Sequence, residues 1–204
     1  MFKIAVLVSG GGTDLQSIID AVESKKINCA IDIVISNKDG VFAIDRAKKH
    51  NIDYAVVSRK EYGDKQSDKI LEICRERSID LIVLAGYLSI LGGNLLEEYS
   101  NKIINIHPSL IPSFCGPNMY GLKVHEAAIN KGVKFSGCTV HFVNSEVDGG
   151  AIIKQEVVPV YYEDDAETLQ KRILEKEHII LPEVVGLIAE GKVSIINGRV
   201  KIDN

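Results

Sequence analysis

The chain has 204 residues, a net charge of −4 and four cysteines. A chain of this length buries roughly 70% of the surface it exposes when unfolded, so its core needs no disulfide or metal staple. Charges of both signs are spread along it, which excludes a basic nucleic-acid face, and no run approaches the ~20 apolar residues of a membrane helix. Cys29, Cys74, Cys115 and Cys138 are scattered, without a C-x-x-C pair or a histidine at zinc-ligand spacing, and read as buried thiols of a reducing compartment. The expectation is a soluble cytoplasmic protein with small-molecule ligands, no metal, and no nucleic-acid or membrane partner.

In chain order, Lys3–Val8, Ile31–Ile35, Tyr54–Val57, Leu81–Leu84 and Ile103–Ile106 are short apolar runs rich in β-branched residues. Near-continuous runs of this kind suit strands buried on both faces of a parallel sheet. Helical patterns lie between them, over Thr13–Glu23, Val41–His50, Asp64–Arg77 and Asn94–Tyr99. In the third, Ile70, Leu71, Ile73 and Cys74 make an apolar stripe with Asp64, Lys65 and Asp68 outside it. The rhythm predicts an α/β fold with an open, doubly wound, mostly parallel sheet.

The second half reads differently. A helix over Leu122–Lys131 precedes two strand-like runs, Lys134–Val143 and Ala151–Pro159, around Asn144-Ser-Glu-Val-Asp-Gly-Gly150. Asp-Gly-Gly favours a turn, so these strands are expected to be antiparallel. A long helix follows, from about Asp165 to Glu190, which Pro182 should kink or split. The tail, with Asn197-Gly198 between Val193–Ile196 and Arg199–Ile202, reads as a hairpin with a type I′ turn. No linker or repeat interrupts the chain, so residues 1–204 are expected to form a single domain, with residues 1–100 as its phosphate-binding half and 101–204 as its catalytic half.

Three places carry chemistry. Gly10-Gly11-Gly12-Thr13-Asp14 follows the first strand and opens the first helix, where glycines let backbone amides approach an anion and the helix end adds donors. It departs from the dinucleotide fingerprint, with Leu15 where a third glycine is needed, and from the Walker loop, with no Gly-Lys-Ser/Thr. A tight turn capped by Thr13 or Asp14 is the plainer alternative. Asn105 and His107 alternate onto one side at the end of the fifth strand, where open α/β sheets bind ligands. An Asn amide can hold an oxyanion and a His can carry a proton, although a structural histidine fits the same pattern. Asp148, with His141 on the preceding strand, is either a turn residue or a carboxylate that stabilises an imidazolium. Glu177-His178 defaults to a surface pair, His50 to a helix C-terminus, His125 to a solvated or half-buried position and Tyr161–Glu167 to a solvated loop.

Taken in order, V-S-G-G-G-T-D-L-Q at 8–16, L-A-G-Y-L-S-I-L at 84–91, N-I-H-P-S-L-I-P at 105–112 and H-F-V…V-D-G-G at 141–150 resemble the phosphoribosylglycinamide formyltransferase family. The resemblance implies a Rossmann-like formyltransferase fold and transfer of a formyl group from 10-formyltetrahydrofolate to the amine of glycinamide ribonucleotide in purine biosynthesis. It assigns Asn105 to the oxyanion, His107 to the oxyanion and proton movement, and Asp148 to keeping His107 protonated, with His141 in support. It further assigns Gly11, Gly12, Thr13 and Asp14 to the ribonucleotide, and Glu177 to its amine. Lys65, Leu88, Ser89, Ile90, Leu91, Asn144 and Val147 would serve the folate. The implied protein is a monomer or homodimer without metal. This chain has Asp14 where the family usually has Asn, Ser89 for a common Arg, and a longer loop over Phe114–Gly121.

Rivals with the same chemistry, a methionyl-tRNA formyltransferase and a formyltetrahydrofolate hydrolase, are expected to carry an additional domain. A non-catalytic nucleotide binder would have no need of Asn105, His107 and Asp148 together, and a nicotinamide dehydrogenase would need a glycine at Leu15.

Overall fold

From Ile4 to Val8 no residue of the first strand, β1 (Phe2–Val8), exposes any surface. A strand sealed on both faces can be lined by aliphatic residues throughout, which is why it reads as a continuous run. The computed structural model describes residues 1–203, which fall into two compact units, one ending at Ile104 and one beginning at Asn105.

In the first unit β1 pairs in parallel with β2 (Cys29–Ser36) on one side and β4 (Leu81–Leu84) on the other, and β3 (Tyr54–Val56) pairs with β2. The order β3-β2-β1-β4 reverses direction between β1 and β4, the switch point at which open α/β sheets receive ligands beyond the strand ends. The segments leaving those two strands are the glycine loop after β1 and residues 85–91 after β4. They are tied together, for the Leu88 amide donates to Ser9 Oγ at 2.8 Å. Helix α1 (Thr13–Glu23) buries Leu15, Ile18 and Ile19, spaced as one helical face requires. Helix α2 (Phe42–Lys49) buries Ala43, Ile44 and Ala47 in the same way.

The helix expected over Asp64–Arg77 begins later. A short helix α3 (Arg59–Tyr62) and a 3-10 turn (Gly63–Lys65) precede α4 (Gln66–Glu76). Gln66 is the cause, since its buried side chain donates to Val57 O at 2.7 Å and anchors the first turn of α4 to the end of β3. Helix α5 (Asn94–Glu98) is a single short piece.

The boundary between the units falls within β5 (Ile103–His107). In the second unit β6 (Phe135–Phe142) and β7 (Ile152–Pro159) run antiparallel, with Phe135 opposite Pro159 and a register shift between Val140 and His141. Helix α6 is Leu122–Lys131, and α7 (Ala166–Ala189) packs on α6, β6 and β7. Pro182 does not split α7. Ile180, Leu181, Pro182, Val184 and Val185 are all buried, and that packing outweighs the missing backbone donor. At the head of α7, Asp165 caps the Thr168 amide, and Arg172 forks onto Asp164 while covering the ring of Tyr161, so the acidic loop is partly built in. The hairpin of β8 (Val193–Ile196) and β9 (Arg199–Ile202) turns on Asn197 and Gly198 with φ of 51° and 74°, as a type I′ turn requires.

Candidate active site

The first unit contributes the glycine loop. Gly12 occupies the N-cap of α1 in the left-handed region, at φ 70° and ψ 38°. A Cβ on Gly12 would also lie 2.7 Å from Ala43 Cβ, so the loop's path is open to glycine alone. Gln16 N is the first amide of α1 bonded to a helical carbonyl, Gly12 O at 3.0 Å, which leaves the amides before it at the positive end of the helix. The N-cap residue is therefore Gly12 rather than Thr13 or Asp14.

Arg46 braces this loop from α2, with Nε donating to Gly11 O at 2.9 Å and Nη1 to Gln16 Oε1 at 2.9 Å. Gly10, Gly11 and Thr13 are exposed, whereas Asp14 is buried, and burial pushes its carboxyl up to about 6. Beyond β4, Leu88 and Ile90 are 53% and 80% exposed. Leu91 is buried, Ser89 Oγ accepts from Asn37 Nδ2 at 2.8 Å, and Lys65 lies on the exposed 3-10 turn.

The second unit gathers the residues with acid–base chemistry. His107 ends β5 almost fully buried, its Nδ1 3.6 Å from Asp148 Oδ2. On the other side of the ring, His107 Nε2 donates to Phe114 O at 2.9 Å. Both ring nitrogens thus face acceptors. The second carboxylate oxygen, Asp148 Oδ1, is 3.7 Å from His141 Nε2, and the Gly116 amide donates to Asp148 Oδ2 at 2.8 Å. Asn105 Nδ2 lies 3.1 Å from His141 Nε2, and His141 Nδ1 donates to Phe142 O at 2.8 Å. Asn105, His107, Asp148 and His141 are therefore one connected cluster, and the Asp-Gly-Gly turn has a second purpose.

That turn is held tightly. Asp148 adopts a positive φ of 57°, and Asn144 Oδ1 accepts from the Glu146 amide at 2.9 Å. At Gly150 any Cβ would sit 1.7 Å from Phe142 O, so only glycine lets the returning chain pass this carbonyl. Asn144 and Val147 are exposed on the same turn.

Neither Phe114 nor Gly116 is singled out by residue type, because both act through the backbone. Phe114 has a φ of 51° and Gly116 of 90°, which brings their carbonyl and amide around to His107 and Asp148. The preceding Ile111–Pro112 peptide is cis, and Thr139 Oγ1 ties the segment down through Ile111 N and Ser109 O.

Two expectations from the residues alone are corrected. His125 is 1% exposed rather than solvated or half-buried, and burial, with the nearby charge of His107, pushes it down to about 4. Glu177 is buried in α7 and not part of a surface pair. Cys29, Cys74 and Cys138 are buried as expected, but Cys115 is partly exposed in the 114–116 segment. Among the described residues no group of three or more His, Cys, Asp or Glu is placed to hold a metal ion, and no helix is long and apolar enough to cross a membrane.

Residues 2–185 match the formyl transferase family model. The phosphoribosylglycinamide formyltransferase of Haemophilus influenzae is 43% identical over 205 residues, covering 100% of this chain and 94% of that protein. The trifunctional purine biosynthetic protein adenosine-3 of Gallus gallus is 43% identical over 198 residues, and the match spans 95% of this chain but only 19% of that longer protein. Among solved structures, glycinamide ribonucleotide transformylase 1 of Symbiobacterium toebii superposes with a TM-score of 0.94 at 39% identity, covering 100% of this chain and 95% of the other.

Proposed function

Since the chain belongs to the formyl transferase family, among the phosphoribosylglycinamide formyltransferases, we propose that it transfers the formyl group of 10-formyltetrahydrofolate to the amine of glycinamide ribonucleotide. The products are formylglycinamide ribonucleotide and tetrahydrofolate, in purine biosynthesis. The protein acts in the cytoplasm as a monomer or homodimer.

One observation carries the reading. An amide, an imidazole and a carboxylate are assembled within 3.7 Å steps of one another, with the two histidines of the cluster buried. Binding alone does not call for such a cluster, whereas acyl transfer needs all three parts. The amine lone pair attacks the formyl carbon, a C–N bond forms, and the carbonyl π pair moves onto oxygen. Asn105 donates an N–H to that oxygen, and His107 stabilises it with its proton. As the C=O re-forms, the bond from carbon to the folate nitrogen breaks, and the nitrogen leaves protonated. The proton released by the amine returns to the imidazole. Asp148 Oδ2, 3.6 Å from Nδ1, holds the ring in place while the proton moves.

The glycine loop supports the choice of acceptor. Gly11, Gly12 and Thr13 offer backbone donors at a helix N-terminus to the phosphate of the ribonucleotide. Asp14, with its raised pKa, presents less charge to that phosphate than an ordinary aspartate as pH falls towards 6. Glu177 receives the substrate amine. To the folate we assign Lys65, Leu88, Ser89, Ile90, Leu91, Asn144 and Val147.

The test is a spectrophotometric assay of folate turnover with and without glycinamide ribonucleotide. Turnover that requires the ribonucleotide is the expected result. Equal turnover in its absence would replace the transferase reading with hydrolysis.

A further inference from the structure

A primary amide offers an N–H or a C=O depending on which way it is turned, and the two orientations have the same shape. If Asn105 is to meet a developing oxyanion, its surroundings must select the orientation that presents a donor. His141 is placed to make that selection. Its Nδ1 is 2.8 Å from Phe142 O, and because a carbonyl only accepts, Nδ1 carries the hydrogen. Nε2 of the neutral ring is then a bare lone pair, 3.1 Å from the Asn105 amide. Only the NH2 side of the amide suits that lone pair, so one N–H is taken by His141 and the second is left for another acceptor.

We propose that His141 is a positioning residue of the transfer reaction, holding the Asn105 amide so that it offers an N–H to the formyl oxygen, and doing so only while its own ring is neutral. This rests on the formyl-transfer reading of the cluster. A proton on Nε2 would set two donors against each other, and the amide would relieve this by turning its oxygen to His141. The N–H meant for the oxyanion would leave its place.

The groups facing His141 are Asn105, the Phe142 carbonyl, Asp148 Oδ1 at 3.7 Å, and the His107 charge. Burial opposes the cation most strongly and His107 adds to that, while Phe142 and Asp148 favour the cation. The balance holds the ring below its ordinary pKa of 6.5. His141 is 2% exposed. The backbone secures the arrangement too. The register shift between Val140 and His141 re-aims the ring, as bulges beside active sites do, and the glycine at 150 leaves the Phe142 carbonyl unobstructed.

Two variants and one spectrum test this. His141→Leu removes the acceptor, and kcat is expected to fall ~10²-fold, the scale of a lost or misdirected oxyanion donor, with little change in the KM for ribonucleotide. His141→Gln keeps an acceptor that does not titrate. It is expected to restore most of the turnover and to hold its kcat to lower pH than the wild type. In wild-type protein labelled with 15N-histidine, His141 should show a protonated Nδ1 and an unprotonated Nε2 at neutral pH. Wild-type turnover in folded His141→Leu, or a proton on Nε2 in the neutral-pH spectrum, would overturn the proposal. If the wild type performs no formyl transfer, the functional reading falls, and the spectrum still decides the tautomer independently.

Discussion

A His107→Ala variant is expected to lose about 10²- to 10⁴-fold in kcat while keeping its fold and most of its affinity for both substrates. The residue is 4% exposed, and its ring spans Phe114 O at 2.9 Å and Asp148 Oδ2 at 3.6 Å. Truncation leaves Asp148 with the Gly116 amide as its near donor and removes the imidazole from the cluster. A loss confined to kcat is the mark of a group that acts in the transition state rather than in binding. Steady-state kinetics, with a thermal melt to show that the variant is folded, provide the check. Turnover within about tenfold of wild type would remove His107 from the chemistry.

The second large effect is expected at Asn105. Asn105→Ala should cost about 10²- to 10³-fold in kcat, the usual penalty for deleting one preorganised oxyanion donor. The variant also leaves His141 Nε2 without the donor it now has at 3.1 Å. Asn105→Asp is the sharper companion, because it keeps the shape but replaces a donor with an acceptor and a negative charge. It is expected to be at least as impaired as the alanine variant. An active Asn105→Asp enzyme would show that the formyl oxygen does not rely on an N–H from this position.

Much of the fold is legible because the parallel strands are buried on both faces. Ile4–Val8 and Leu81–Leu84 admit only apolar residues and so declare themselves as runs. The glycine loop is legible for a steric reason, as Gly12 needs both a left-handed backbone and contact with Ala43. Other features depend on the assembled molecule. The start of α4 is set by a bond from Gln66 to Val57 O, which no local pattern encodes. The continuity of α7 through Pro182 comes from burial of the surrounding turn. His125 and Glu177 look solvent-facing from composition, yet both are buried by elements packed over them.

The site divides along the same line. Asn105, His107 and Asp148 stand out because their residue types are chemical. Their connection runs through groups that carry no such mark, including the Phe114 carbonyl, the Gly116 amide and the Phe142 carbonyl. The direction of the His141 ring depends on a one-residue register shift in β6 and β7, which strand alternation alone would miss.

The central claim is that an amine, rather than water, receives the formyl group. The most direct measurement follows the carbon itself, using 10-formyltetrahydrofolate labelled with 13C in the formyl group, glycinamide ribonucleotide and the purified protein, with products read by NMR. The account predicts that the label appears as an N-formyl group on the ribonucleotide, in step with tetrahydrofolate release. Label recovered as free formate while the ribonucleotide stays unmodified would contradict it.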